Sequence, residues 1–206
     1  PLMAFNWSRQ IKDGFKKYYQ MSFDILMMLA IPILVGTIIL ANKIMLLVAG
    51  QDFITSAKPL QILSVAVFGL YLGAIFGHTA VAINKQKQTM WIYISNSIIT
   101  LIGYLIFIPM YGMYGAAWMT VFSELYAGIL LWITIRHYAK ENLKLKTLSK
   151  IIFASLVMAV VLLLLIQLHV IVLAMLGVLT YGLILILTKG ISKQTISEII
   201  STKKDV

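Results

Sequence analysis

MSFDILMMLAIPILVGTIILA, residues 21–41, carries a single charged side chain, Asp24, in a run long enough to cross a bilayer. The hydrocarbon core is about 30 Å thick and a helix rises about 1.5 Å per residue, so roughly 20 apolar residues span it. Reading outward from this run, five more stretches qualify: 60–83, 90–108, 113–135, 148–168 and 170–188. Strands in lipid need a closed barrel of alternating segments, so these runs are expected to be helices. The expected fold is all-α, a polytopic bundle of about six transmembrane helices. Gly50, Pro59, Pro109 and Gly112 stand between or at the ends of runs as breakers, and residues 167–169 mark a tight turn between the last two.

Composition agrees. The 206 residues are 61% hydrophobic and 12% charged, too little polar surface for a domain wet all round. No cysteine is present, which excludes a disulfide framework and a cysteine-ligated metal site. The net charge of +10 reads as loop lysines rather than nucleic-acid binding, because the basic residues fall between apolar runs. Fifteen Lys and Arg lie on one side of the bundle, in residues 1–20, the loop at 85–87, the stretch 136–150 and residues 189–206. Only Lys43 and Lys58 lie on the other. The bias places both termini in the cytoplasm.

The chain divides into a basic N-terminal segment (1–20), a four-span part (21–135), a basic loop (136–147), a hairpin (148–188) and a cytoplasmic tail (189–206). The first segment lacks the apolar core and cleavage site of a signal peptide, and the opening at Pro1 is expected of a fragment of a longer protein. Ile191, Thr195, Ile196, Ile199 and Ile200 make an apolar stripe at helical spacing. That tail and the stretch 136–150 are each either surface-lying or plainly solvated.

Within the spans, Gly69, Gly73 and Gly77 recur every four residues and are expected to form a packing face. Pro32 should free the carbonyl of Met28 and bend the first span. Tyr93, Asn96, Thr100 and Gly103 form one small or polar stripe; Ala117, Thr120, Glu124, Ala127 and Gly128 form another. Lipid does not reward such faces, so they should point into the bundle or a water-filled cavity. Glu124 sits at mid-span and should be protonated, partnered or facing water. With Asn96, Thr100, Thr120 and His78 it is a candidate for a substrate or ion pathway; hydrogen bonding between helices is the alternative for each. Asp24, near the interface, is expected to anchor or to pair with a lysine. No phosphate loop, HExxH motif or metal-spaced His and carboxylate cluster occurs, so no enzymatic activity, cofactor or metal is expected.

Three stretches together resemble the Wzx-type polysaccharide flippases of the multidrug/oligosaccharidyl-lipid/polysaccharide exporter superfamily. They are IPILVG (31–36) with LLVAGQDFITSAKPLQIL (46–63), INKQKQTMWIYISNSIITLIGYLIFIP (83–109), and IPMYGMYGAAWMTVFSEL (108–125), the last being the most specific. The likeness covers roughly 24–136; the last two spans match only as a generic hairpin. The resemblance implies two six-helix lobes, of which this chain would supply the last four helices of the second and an extra pair. It implies export of an undecaprenyl-pyrophosphate-linked oligosaccharide across the bacterial cytoplasmic (inner) membrane by alternating access, coupled to an ion. Implied partners are the lipid bilayer, that lipid-linked oligosaccharide, and the polysaccharide polymerase and chain-length proteins. The family's cationic cavity has no counterpart here, since no lysine or arginine lies at mid-span. Drug, lipid II and teichoic-acid exporters share the fold, and a non-transporting scaffold of a polysaccharide-synthesis complex or a membrane-embedded transferase stays open.

The orientation is testable in a chain with no cysteine of its own. Cysteines at Lys87 and Lys144 should react only with reagent that enters the cytoplasm, and one at Gln51 should react from outside. Labelling at Lys144 from outside intact cells would overturn the assignment.

Overall fold

A proline in the middle of a membrane helix leaves one carbonyl without its usual donor, and the fold is organised around the helix that carries it. A computed structural model describes residues 2–190. Its helices are α1 (Leu2–Ser8), α2 (Lys12–Ala49), α3 (Ala57–Ala82), α4 (Gln86–Tyr111), α5 (Met113–Ala139), α6 (Lys146–Leu164) and α7 (Val170–Leu187), with a 3-10 turn at Gln51–Ser56 before α3. No strand occurs among the described residues. Six of the helical stretches are long and apolar enough to cross a membrane, one for each expected span. The apolar stripe at 191–200 lies outside the described residues.

Most helices run past the expected spans, α2 as far as Ala49, and three of the differences have a local cause. First, α2 begins at Lys12 and runs 38 residues, with Pro32 inside it. At about 57 Å it exceeds the hydrocarbon core by several turns. Hydropathy does not mark this start, because the first turns carry Lys12, Asp13, Lys16 and Lys17. They form a helix because Phe15, Tyr19 and Phe23, spaced by four, share a face and are all buried. Second, Pro109 does not break α4, which continues to Tyr111; the break is Gly112, whose φ of 56° few other residues adopt. Third, α6 stops at Leu164 and a five-residue connection, 165–169, precedes α7. His169 caps α7, its Nδ1 accepting from the Ile171 amide at 3.4 Å.

The helices pack in sequence across the molecule: α4 on α5, α5 on α3, α3 on α2, and α2 on the α6–α7 hairpin. The main core lies at the basic end of the bundle, where Phe15, Tyr19, Phe23 and Met27 of α2 meet Phe76, Ile83, Leu131, Ile135 and Ile151. Its rings are in register: Trp7 on Phe15 at 5.0 Å, Phe15 on Tyr19 at 5.9 Å, and Tyr19 on Phe76 at 6.4 Å between centroids. A smaller cluster of Leu40, Met158, Leu162 and Leu173 joins α2 to the hairpin nearer the other end.

Side-chain bonds to backbone fix this arrangement. The Tyr181 hydroxyl of α7 donates to the Met28 carbonyl at 2.8 Å, the carbonyl that Pro32 deprives of its donor. Lys43 Nζ donates to the Leu168 carbonyl at 2.9 Å, holding the hairpin turn to α2. At the basic end the Gln20 amide pairs with both backbone groups of Lys144, at 3.0 and 2.7 Å. Gln20 also donates to Asp24 at 2.9 Å. Asp24 is thus anchored by the Gln20 amide, and the nearby ion pair is Lys16 with Glu141, at 2.9 Å.

A double-mutant cycle tests the Pro32–Tyr181 pairing. Tyr181→Phe strands a carbonyl in the bilayer and is expected to cost about 1–3 kcal/mol of stability. Pro32→Ala restores an amide at position 32 that can bond Met28 within the helix, so the same substitution should cost much less in that background. Equal losses in thermal unfolding in both backgrounds would disprove the pairing.

Candidate functional site

Between α3 and α4 runs an open groove of about 1020 Å³, with α5 behind it. The connection at 83–85 ties the two helices at the basic end, yet beyond it each packs mainly on α5 and hardly on the other. Small residues on α3, Gly73, Ala74 and Gly77, leave the space; Thr89, Tyr93 and Ser97 of α4 face it; Glu124 and Ala127 of α5 form its back. From Val81 to Leu70 the groove follows α3 for about 16 Å, from the mouth at Gln86 and Lys87 to mid-depth.

Glu124 lies at the inner end of the groove. It is half-buried, and its carboxylate makes no hydrogen bond or ion pair among the described residues. The Tyr93 phenol is within electrostatic reach of it. His78 is exposed in the same groove. Glu124 lies beside Gly69, nine residues from His78 along α3, so the two are separated by about 14 Å of helix and form no dyad.

The other three candidates are placed elsewhere. Thr120 Oγ1 and Tyr104 OH are 2.8 Å apart, Asn96 Nδ2 donates to Ser123 Oγ at 3.4 Å, and Thr100 Oγ1 donates to Asn96 Oδ1 at 3.4 Å. The Thr100 bond stays within α4; the other two, with Ser95 and Tyr126 at 3.2 Å, form a polar seam between α4 and α5. Without a hydrophobic drive between helices in lipid, such bonds and close small-residue contacts hold neighbours together. Asn96 and Thr120 therefore bond across to the partner helix and Thr100 is held by Asn96 within α4, while Glu124 and His78 line the groove. Sequence reasoning did not select Ser97 or Thr89 as groove residues; both fall on the Tyr93 face at helical spacing, a signal visible only once the groove is known.

The glycine stripe divides in the same way. A Cβ at Gly69 would stand 2.8 Å from the Glu124 backbone, and one at Gly128 would stand 3.0 Å from Leu72. These two glycines let α3 and α5 touch. At Gly73 a Cβ would meet nothing within 4 Å and would open on the groove, while the Gly73 backbone nitrogen lies 3.6 Å from where a Gly128 Cβ would stand. Gly77 faces the Tyr93 hydroxyl, 2.8 Å from its would-be Cβ. The reason is angular: each step of four residues overshoots a full turn by about 40°, so three glycines sweep from α5 toward α4.

Among the described residues no group of three His, Cys, Asp or Glu is placed to hold a metal. No protein-family model matches the sequence, and comparison with curated proteins gives no match.

The two glycines give a sharp contrast. Gly69→Leu should force α3 from α5 and cost about 3 kcal/mol or more, lowering folded yield. Gly73→Leu should leave thermal stability within about 0.5 kcal/mol while filling part of the groove. Equal damage from both, by thermal unfolding of the detergent-purified chain, would return Gly73 to a packing role.

Proposed function

We propose that this chain is part of a transporter that moves a lipid-linked oligosaccharide, of undecaprenyl-pyrophosphate type, across a bacterial cytoplasmic membrane during surface-polysaccharide synthesis. The observation that carries the reading is Glu124: a carboxylate at mid-depth without a hydrogen-bonding or ionic partner among the described residues, at the inner end of an open groove. Such a placement is costly, about 3 kcal/mol on insertion scales for Asp, and intramembrane carboxylates characteristically mark ion and substrate paths. The groove suits an amphipathic cargo. Its open side lets a lipid tail stay in the bilayer while hydroxyl-bearing groups follow Thr89, Tyr93 and Ser97. Glu124 would exchange an ion or proton as the path opens to each side in turn.

The resemblance of 108–125 to the Ser-Glu segment of the polysaccharide flippases adds the substrate class. The only cation among the groove residues is Lys87 at the mouth, so the pyrophosphate would meet this chain at the mouth and not at Glu124. In this reading the protein is not an enzyme, and its partners are the polymerase and chain-length proteins of the same synthesis. Another exporter of the same superfamily would use the groove in the same way with a different cargo. A scaffold has a use for the α4–α5 seam but none for an unpaired Glu124.

Complementation of a strain lacking its flippase tests the reading, with membrane abundance measured alongside in the full-length protein. Glu124→Gln keeps shape and hydrogen bonding but cannot titrate. It should leave abundance near normal and reduce surface polysaccharide, as should the groove-filling Gly73→Leu. Full restoration by Glu124→Gln would leave Glu124 a structural residue, and full restoration by both variants would remove the groove from the path.

A further inference from the structure

A second pocket, of about 410 Å³, lies on the opposite side of α5 from the groove's α4 wall, between α2, α3 and the loop that follows α5. Its inner wall is apolar: Phe23, Leu72 and Phe76. Its outer rim is polar, with Arg136, Glu141 and Asn142. It follows α5 from Gly128 to Arg136, about 12 Å along the axis. Its volume falls in the range of ligand pockets, yet its form is two-part, an apolar slot under a cation.

The charge at the rim is positive. Glu141 is neutralised by Lys16 at 2.9 Å. Arg136 is exposed and makes no ion pair among the described residues. Its guanidinium carbon lies 5.5 Å from the Trp132 ring centroid, a stacking that pre-orients the planar fork without consuming its donors. Lys140 and Lys144, in the same loop and exposed, raise the local potential. Trp and Arg together at the end of an apolar helix run mark the depth of lipid headgroups.

We propose that this pocket binds one anionic glycerophospholipid. Its phosphate pairs with the Arg136 fork, Asn142 hydrogen-bonds the headgroup, and the upper part of one acyl chain lies against Phe23, Leu72 and Phe76. Apolar walls favour a lipid over a soluble anion, and the unpaired Arg136 favours an anionic lipid over a zwitterionic one. The site is separate from the groove and stands whatever the groove carries.

The test is native mass spectrometry of the purified full chain titrated with dioleoyl-phosphatidylglycerol or dioleoyl-phosphatidylcholine. One phosphatidylglycerol should be retained with an affinity about tenfold above that for phosphatidylcholine. Arg136→Gln should abolish this preference, Arg136→Lys should keep part of it, and Lys140→Gln should keep nearly all of it. Ile129→Trp, on an exposed lining residue, should fill the slot and weaken both lipids. It carries the test if the Arg136 variants fail to fold. Glycerol 3-phosphate, a headgroup without chains, should not compete. Equal affinity for the two lipids would overturn the proposal. So would a loss from Lys140→Gln as large as that from Arg136→Gln, competition by glycerol 3-phosphate, or unchanged phosphatidylglycerol binding by Ile129→Trp.

Discussion

Lipid offers no hydrogen bond to a stranded carbonyl, and the structure answers that constraint at its centre. Pro32 removes the donor that Met28 would otherwise use, and Tyr181, far along the chain, supplies another at 2.8 Å. The bond joins the middle of α2 to α7. Lys43 joins α2 to the hairpin turn through the Leu168 carbonyl, and Lys150 joins α6 to the end of α7 through the Lys189 carbonyl. The C-terminal hairpin is thus fastened to α2 at mid-depth and at its turn, while the Lys150 bond closes its open end within the hairpin itself. Apolar contact alone would not specify its position, because lipid chains compete for the same surfaces.

The number and order of spans were legible in the sequence because twenty apolar residues with almost no charge have few other uses. Helix limits were less legible, since hydropathy reports where a helix meets lipid and not where it ends. The first turns of α2 are the clearest case. Lys12, Lys16 and Lys17 suggested a solvated segment, whereas Phe15, Tyr19 and Phe23 on the other face bury themselves against Phe76 and Ile83. The four-residue spacing of those rings was the available signal. Pro109 misled for a related reason: a proline near a helix end disturbs only the turn before it, and α4 goes on to Gly112.

The candidate site was half legible. Depth and stripe position selected Glu124, Asn96, Thr100 and Thr120 together, but neither property says what stands opposite. That depends on how α4 and α5 cross. The crossing turns Asn96 and Thr120 into a seam, with Thr100 bonded to Asn96 within α4, and leaves Glu124 in the gap. The glycines repeat the lesson. A spacing of four describes an arc of helix surface about 80° wide over three positions, and the neighbours on that arc change from α5 at Gly69 to α4 at Gly77.

The walls of the groove are held by unequal means. Along α3 and α5, Gly69 and Gly128 bring backbone within van der Waals contact, and separating them would lose many contacts at once. Along α4 and α5 close packing is confined to the half nearer Gly112, where Gly103 meets Met119 and Gly115 meets the Phe107 backbone, and the rest of the seam is a few hydrogen bonds, each about 0.6 kcal/mol in membrane helix pairs. On α4 itself only Thr89 and Gly103 are buried. The one-residue connection at Gly112 keeps α4 beside α5 at the end far from the mouth, and the connection at 83–85 ties α4 to α3 at the mouth, so the weakest restraint on groove width lies between the two, near Tyr93 and Ser97. If the proposed cargo enters the groove laterally, it would part α4 from α3 there, against the Ser95–Tyr126 and Asn96–Ser123 bonds that hold α4 to α5.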